Sequence, residues 1–202
     1  MAAPSDRDYW NHNTAYHPWL VAIAAQHRGD VLDVGCGDGL LAQRLAPVSR
    51  SVIGIDPDPA AVGRAADRLA SLRHVTVCQG DFQAYDAGGR RFDLITFVAS
   101  IHHMDLRASL VKARGLLTPI GEIAVVGCAA NKTVRDWVWS AMCVPAARIG
   151  SRLHSETRNI GVVVTDPNDG LDDIRRTVDE VLPGASVRRA LYYRYLMRWR
   201  RR

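Results

Sequence analysis

The sequence predicts an α/β fold: a doubly wound sheet of seven strands, mostly parallel, with a C-terminal antiparallel hairpin strand. Three observations carry that expectation. Short, nearly continuous apolar runs alternate with helix-length stretches, as in parallel sheets built from crossover units. The run Val31-Leu32-Asp33-Val34 breaks into Gly35, Gly37 and Gly39 and passes at once into Leu40, Leu41, Ala42 and Leu45, giving strand, tight turn and helix in that order. The chain then closes with two strand-like segments, 186–190 and 193–199, and in the second Tyr193, Tyr195, Met197 and Trp199 recur at period two.

Each element has its own local reason. Residues 5–28 read as helical, with Tyr9, Trp10, Tyr16, Trp19, Leu20 and Ile23 at helical spacings and Pro18 forcing a break or kink. Strand 31–34 leads through the glycines into helix 39–46, which stops near Pro47. Strand 51–56 ends in Asp56. Asp58 then reads as the N-cap of helix 59–72, with Pro59 at its first position. Strand 75–78 and strand 92–98 follow, and helix 106–117 ends before Pro119. Strand 121–127 precedes an insertion over 129–161, in which Trp137, Val138, Met142, Val144 and Ile149 form an apolar helical face near Arg148, Arg152, His154 and Arg158. The last helix, 170–182, carries Leu171, Ile174, Val178, Val181 and Leu182 on one face and ends at Pro183-Gly184.

Composition bounds the class. A chain of 202 residues, 48% hydrophobic and 23% charged, suits one domain, 1–202, with a full core. The opening residues lack an apolar export core, and no run approaches the roughly 18 apolar residues that span a bilayer. A cytoplasmic protein without a membrane span is expected. Cys36, Cys78, Cys128 and Cys143 are not paired at metal-ligand spacing, so neither a metal site nor a secreted disulfide framework is expected. The net charge of +5 owes much to the tail Arg198-Trp199-Arg200-Arg201-Arg202. That tail reads either as a solvated chain end or as a contact for nucleic acid or a membrane surface.

The glycine turn points to a cofactor. Glycines let backbone approach a ligand and adopt positive φ at little cost, and a following helix start adds unpaired N–H groups. The dinucleotide spacing Gly-x-Gly-x-x-Gly/Ala would require a small residue where Leu40 stands, so a nicotinamide reading fits poorly. The pattern present is Asp33-x-Gly35-x-Gly37-x-Gly39. It resembles the first motif of the class I S-adenosylmethionine-dependent methyltransferases, which share a Rossmann-like fold, and the likeness extends over roughly residues 29–200.

That resemblance implies roles residue by residue. Asp33 would lie near the amino group of S-adenosyl-L-methionine, and Gly35, Cys36 and Gly37 would make room for its methionine and ribose. Asp56, at the end of the second strand and followed by Pro57, would accept from the ribose hydroxyls. Asp81 would accept from the adenine amine, with Phe82 flanking the ring through its side chain or its backbone N–H. Ala99 opens the loop Ala99-Ser100-Ile101-His102-His103-Met104, which should face the transferred methyl group. The N-terminal segment 1–28 would cap the pocket, with His12 and Tyr16 reaching the cofactor or substrate. The insertion 129–161 would form a substrate lid with Trp137 on the substrate. Plain core packing and an amphipathic surface helix meeting lipid are alternatives for that insertion.

Methyl transfer from a sulfonium needs an aligned nucleophile and excluded water, plus a base when the acceptor must lose a proton. His102 is the candidate base, because an imidazole titrates near neutrality, and His103 the candidate substrate contact. Family members that methylate base amines resemble Asn/Asp-Pro-Pro-Tyr/Phe after the fourth strand, where this chain has Ala99-Ser100-Ile101-His102. No Pro-Cys pair of the base-carbon enzymes occurs. The resemblance therefore implies transfer to an oxygen or nitrogen of a small, aromatic or apolar metabolite, leaving S-adenosyl-L-homocysteine, with nucleic acid disfavoured. RNA or protein methylation, a non-catalytic partner that only binds the cofactor, and more distantly a nicotinamide oxidoreductase are the alternatives.

Overall fold

The computed structural model describes residues 9–153 and 167–201. The elements in chain order are α1 (His17–His27), β1 (Asp30–Val34), α2 (Leu40–Leu45), β2 (Ser51–Asp56), α3 (Pro59–Leu69), β3 (Val75–Gln79), β4 (Phe92–Val98), α4 (Leu106–Leu116), β5 (Leu117–Cys128), α5 (Val134–Leu153), α6 (Leu171–Val181), β6 (Ser186–Ala190) and β7 (Arg194–Arg200). They build a seven-stranded sheet of order β3-β2-β1-β4-β5-β7-β6. The first five strands in that order pair in parallel; β7 runs antiparallel to both β5 and β6. The Rossmann-like sheet expected from the sequence is present.

Alternation across the pleat divides the core in two. Leu32 and Val34 of β1, with Ile95 and Phe97 of β4, pack on one side with Leu110 of α4 and Ile174 and Val178 of α6. Val31 and Leu94 face the other side with Leu20 and Ile23 of α1, Leu41 and Leu45 of α2 and Ala65 of α3. Asp58 caps α3 by accepting from Ala60 N at 2.9 Å, and Asp105 caps α4 by accepting from Ala108 N at 2.7 Å; such caps contribute about 1 kcal/mol each.

Three expectations change. Pro18 does not break a long N-terminal helix but sits in the first turn of α1, where its missing N–H costs nothing; ahead of it residues 9–13 are irregular and turn-like, and Thr14–Tyr16 form a single 3-10 turn. Tyr193 leaves the expected strand face: Tyr192 and Tyr193 take positive φ of 58° and 60° in the β6–β7 connection, whereas Tyr195, Met197 and Trp199 do share the core side. The basic tail is not a free end through Arg201. Arg198 and Trp199 belong to β7, Trp199 is buried, and Arg201 donates to the carbonyls of Gly121 and Leu117. His154, Arg158 and the rest of the expected insertion beyond Leu153 lie outside the described residues.

Arg198 has a structural duty. Glu122 on β5 is fully buried and accepts from the Arg198 guanidinium through both oxygens, while His27 Nε2 lies 3.3 Å from Oε2. Removing one partner of a buried pair leaves an uncompensated charge. Arg198→Met should therefore lower unfolding free energy by about 3 kcal/mol in chemical denaturation, and Glu122→Leu added to it should restore more than half of the loss.

Candidate active site

A cavity of about 380 Å³ opens beyond the carboxyl ends of β1, β2 and β4. Ligands collect there in doubly wound sheets because the loops leaving the strands diverge. Its floor is the glycine turn. Gly35 N and Cys36 N donate to Ile55 O at 2.8 and 3.1 Å, and Gly37 N donates to Asp56 Oδ2 at 2.8 Å. Gly35 has φ 73°, and a Cβ built on it would lie 2.3 Å from Ser100 Cβ. The Ser100 hydroxyl occupies that side and donates to Val34 O at 2.5 Å. Positive φ and the lack of room each require glycine here.

Two carboxylates wall the cavity. Asp33 is buried and accepts from Thr96 Oγ1 at 2.7 Å. Burial pushes its carboxyl up to about 7; the Thr96 hydrogen bond opposes this and the charge of Asp56 adds to it. Asp56 is also buried, and besides holding Gly37 it accepts from Asp58 N through Oδ1 at 3.0 Å. It therefore shapes the turn as well as facing the cavity. Burial, and then Asp33 and Asp56, push the Cys36 thiol up, so it stays protonated. Pro57 and Ala99 complete this wall, and Ala99 holds a left-handed backbone of φ 51° while its N–H donates to Val126 O at 2.8 Å.

The structure places several expected site residues elsewhere. His103 reaches the cavity wall; His102 does not. The loop is a 3-10 turn, Ile101–His103, and its two imidazoles lie against each other with ring centroids 4.2 Å apart. Ile101 is buried in the core, and His102 lines a small adjoining pocket with Cys128, Asp169 and Tyr195. Phe82 is a core residue, edge-on to Phe97 at 5.6 Å, and Asp81 is exposed and accepts from Gln83 N at 2.6 Å; neither lines the cavity. Trp137 points outward from α5. Tyr16 donates to Leu191 O at 2.7 Å and His12 stacks on Tyr192 at 4.8 Å, so both pack on the β6–β7 connection.

Other residues of the N-terminal segment, none of them named as a site candidate from the sequence, line the cavity: Tyr9, Asn11, Asn13, Thr14 and His17. Asn11 and Thr14 form a reciprocal turn, Thr14 N donating to Asn11 Oδ1 and Asn11 N to Thr14 Oγ1, both at 2.9 Å. This Asn-x-x-Thr spacing, ahead of a Pro at a helix start, is the signal that was readable. Tyr9 ties the segment down by donating to Asp38 Oδ1 at 3.0 Å, and Arg68 holds the other Asp38 oxygen at 2.9 Å. Burial and then Asp38 raise the Tyr9 hydroxyl, so it remains a donor. Among the described residues no cluster of three His, Cys, Asp or Glu is arranged for a metal ion.

His17 is held neutral. Burial and then the Arg44 guanidinium, 3.2 Å from Nδ1, push its pKa from 6.5 down to about 3. The unfolded chain takes up this proton near pH 6.5 and the native chain only near pH 3, so the stability gained by keeping His17 neutral is lost as pH falls through that interval. His17→Gln should lose less stability than the parent between about pH 7 and pH 4. Denaturant midpoints at the two pH values test this; equal acid losses would remove His17 from the account.

The cavity suits an adenosine-bearing cofactor: a side-chain-free floor, a carboxylate on each side and one end under the turn at His103. Comparison with known proteins agrees. A methyltransferase-domain family model matches residues 31–121. An uncharacterized methyltransferase of Mycobacterium tuberculosis is 34% identical over 192 residues, covering 95% of this chain and 96% of the relative. A ubiquinone biosynthesis O-methyltransferase of Azorhizobium caulinodans is 31% identical over 110 residues, 53% of this chain and 42% of that protein. In fold, the chain resembles the N-methyltransferase NodS of Bradyrhizobium japonicum in complex with S-adenosyl-L-homocysteine, with a TM-score of 0.66 at 19% identity over 95% of this chain and 88% of that one. The glycine turn, the sheet order and the full-length match together make this chain a member of the class I S-adenosylmethionine-dependent methyltransferases.

Proposed function

We propose that the enzyme methylates an oxygen or nitrogen of a small, aromatic or apolar metabolite, and that the acceptor enters beside the turn Ser100–Met104. The observation that carries this reading is the position of His103 and Met104 on the wall of the cavity that holds the glycine turn. His103 supplies a ring nitrogen to accept the acceptor's proton, or a hydrogen bond that aligns its lone pair. Leu40, Leu41, Val98 and Met104 give the wall its apolar character. S-adenosyl-L-methionine, when bound, supplies a methyl group already activated by a positive sulfur. Asp33 pairs with the ammonium end of that cofactor, Asp56 accepts from its ribose, and the segment 9–17 excludes water. Relatives named for O- and for N-methylation leave both acceptor atoms within the proposal.

Two measurements test it. Asp33 keeps its proton up to about pH 7 in the free enzyme, and a carboxylate is needed to hold an ammonium group. Cofactor affinity should thus fall on acidification below that pH, by up to about tenfold per unit, and binding at neutral pH should release a proton. Titration calorimetry in buffers of different ionisation enthalpy reads both; a flat profile, equal to that of Asp33→Asn, would remove the pairing. For the acceptor side, a metabolite extract scored by mass spectrometry for the gain of one methyl identifies the substrate. With it, His103→Ala should cut turnover about 10²-fold or more at unchanged cofactor affinity, and His102→Ala far less. The reverse ranking would return the role to His102.

A further inference from the structure

Helix α5 is inside out. Its buried side is made of Asp136, Cys143, Ala147 and Gly150, whereas Val134, Trp137, Val138, Met142, Ile149 and Leu153 point outward, with Trp137 64%, Met142 66% and Leu153 75% exposed. A contiguous apolar face on a globular protein marks a surface that something covers. The charges on that side say what. Arg135, Arg148 and Arg152 are exposed and form no ion pair among the described residues, and the helix's single acid, Asp136, is turned inward onto Arg189 and the Thr133 cap. A second copy laid on the same face would bring arginines against arginines. An anionic surface with an apolar interior satisfies both the side chains and the charges, and a tryptophan among arginines is the composition of a helix lying in a bilayer interface. No described helix is long and apolar enough to cross a membrane, so the contact is a surface one.

We infer that α5 docks the enzyme on an anionic lipid surface. The far end of the helix ties this surface to the active site. A Cβ on Gly150 would touch Tyr192 and Trp10, and Ser151 Oγ lies 3.4 Å from His12 Nε2; these residues adjoin Asn11 and Asn13 of the cavity cover. An apolar acceptor dissolved in the bilayer would meet the cavity from that side. Docking is read without turnover, so its failure leaves the acceptor proposal standing.

The test is sedimentation of the full-length protein with vesicles of phosphatidylcholine alone or with about one-third phosphatidylglycerol. The protein should bind the anionic vesicles only, and binding should weaken as salt rises from about 0.1 M to about 0.5 M. Val138→Glu/Met142→Glu should bind about tenfold less or worse while keeping its affinity for S-adenosyl-L-methionine, which controls for folding. Arg135→Gln/Arg148→Gln/Arg152→Gln should lose the preference for anionic lipid. No binding to either vesicle, equal binding to both, or a dimer in light scattering that the glutamate pair dissolves would each overturn the inference.

Discussion

The architecture of the site depends on one constraint, the backbone of the glycine turn being gripped from both neighbouring strands. Ile55 O of β2 takes two of its N–H groups, the Asp56 carboxylate takes a third, and Ser100, just past β4, fills the space that a Gly35 side chain would need. The turn thus depends on the parallel order β2-β1-β4, because only that order puts Ile55 and Ser100 on opposite sides of the same five residues. The sheet and the cofactor floor are one structure read at two scales.

Charge is managed by the same economy of contacts. Asp33 and Asp56 are buried on the wall of one cavity, and Asp33 answers by holding its proton up to about pH 7. Across the cavity His17 stays neutral against Arg44. The free site therefore carries less charge than the same residues would carry in water. At the opposite edge Glu122 is neutralised by Arg198, which is why an arginine-rich stretch that reads as a tail becomes a core strand.

Much of the site was legible because it is local. Asp33, Gly35, Cys36 and Gly37, then Asp56 and Pro57, then Ala99, each stand at the end of a strand that its own apolar run announces, and all of them reach the cavity. Less legible was the direction of a side chain where it depends on packing at a distance. His102 and His103 are neighbours in sequence with rings 4.2 Å apart, and only the folded turn decides which one borders the cavity. Phe82 is claimed by Phe97, and His12 and Tyr16 are claimed by Tyr192 and the Leu191 carbonyl, more than 170 positions away.

By itself, then, the sequence determined the order of elements, the doubly wound sheet and a glycine cradle for a nucleotide-like cofactor, because alternating apolar runs and a glycine turn act over a few residues and need no distant partner; the identity of the cofactor came from the resemblance of that turn to a known family. The tertiary structure alone decided which aromatic and imidazole rings face the cavity, that the C-terminal arginines are structural, and that α5 shows its large apolar residues to the outside. Those outcomes come from competition for burial among residues far apart in the chain, and periodicity marks a face without saying which way it turns.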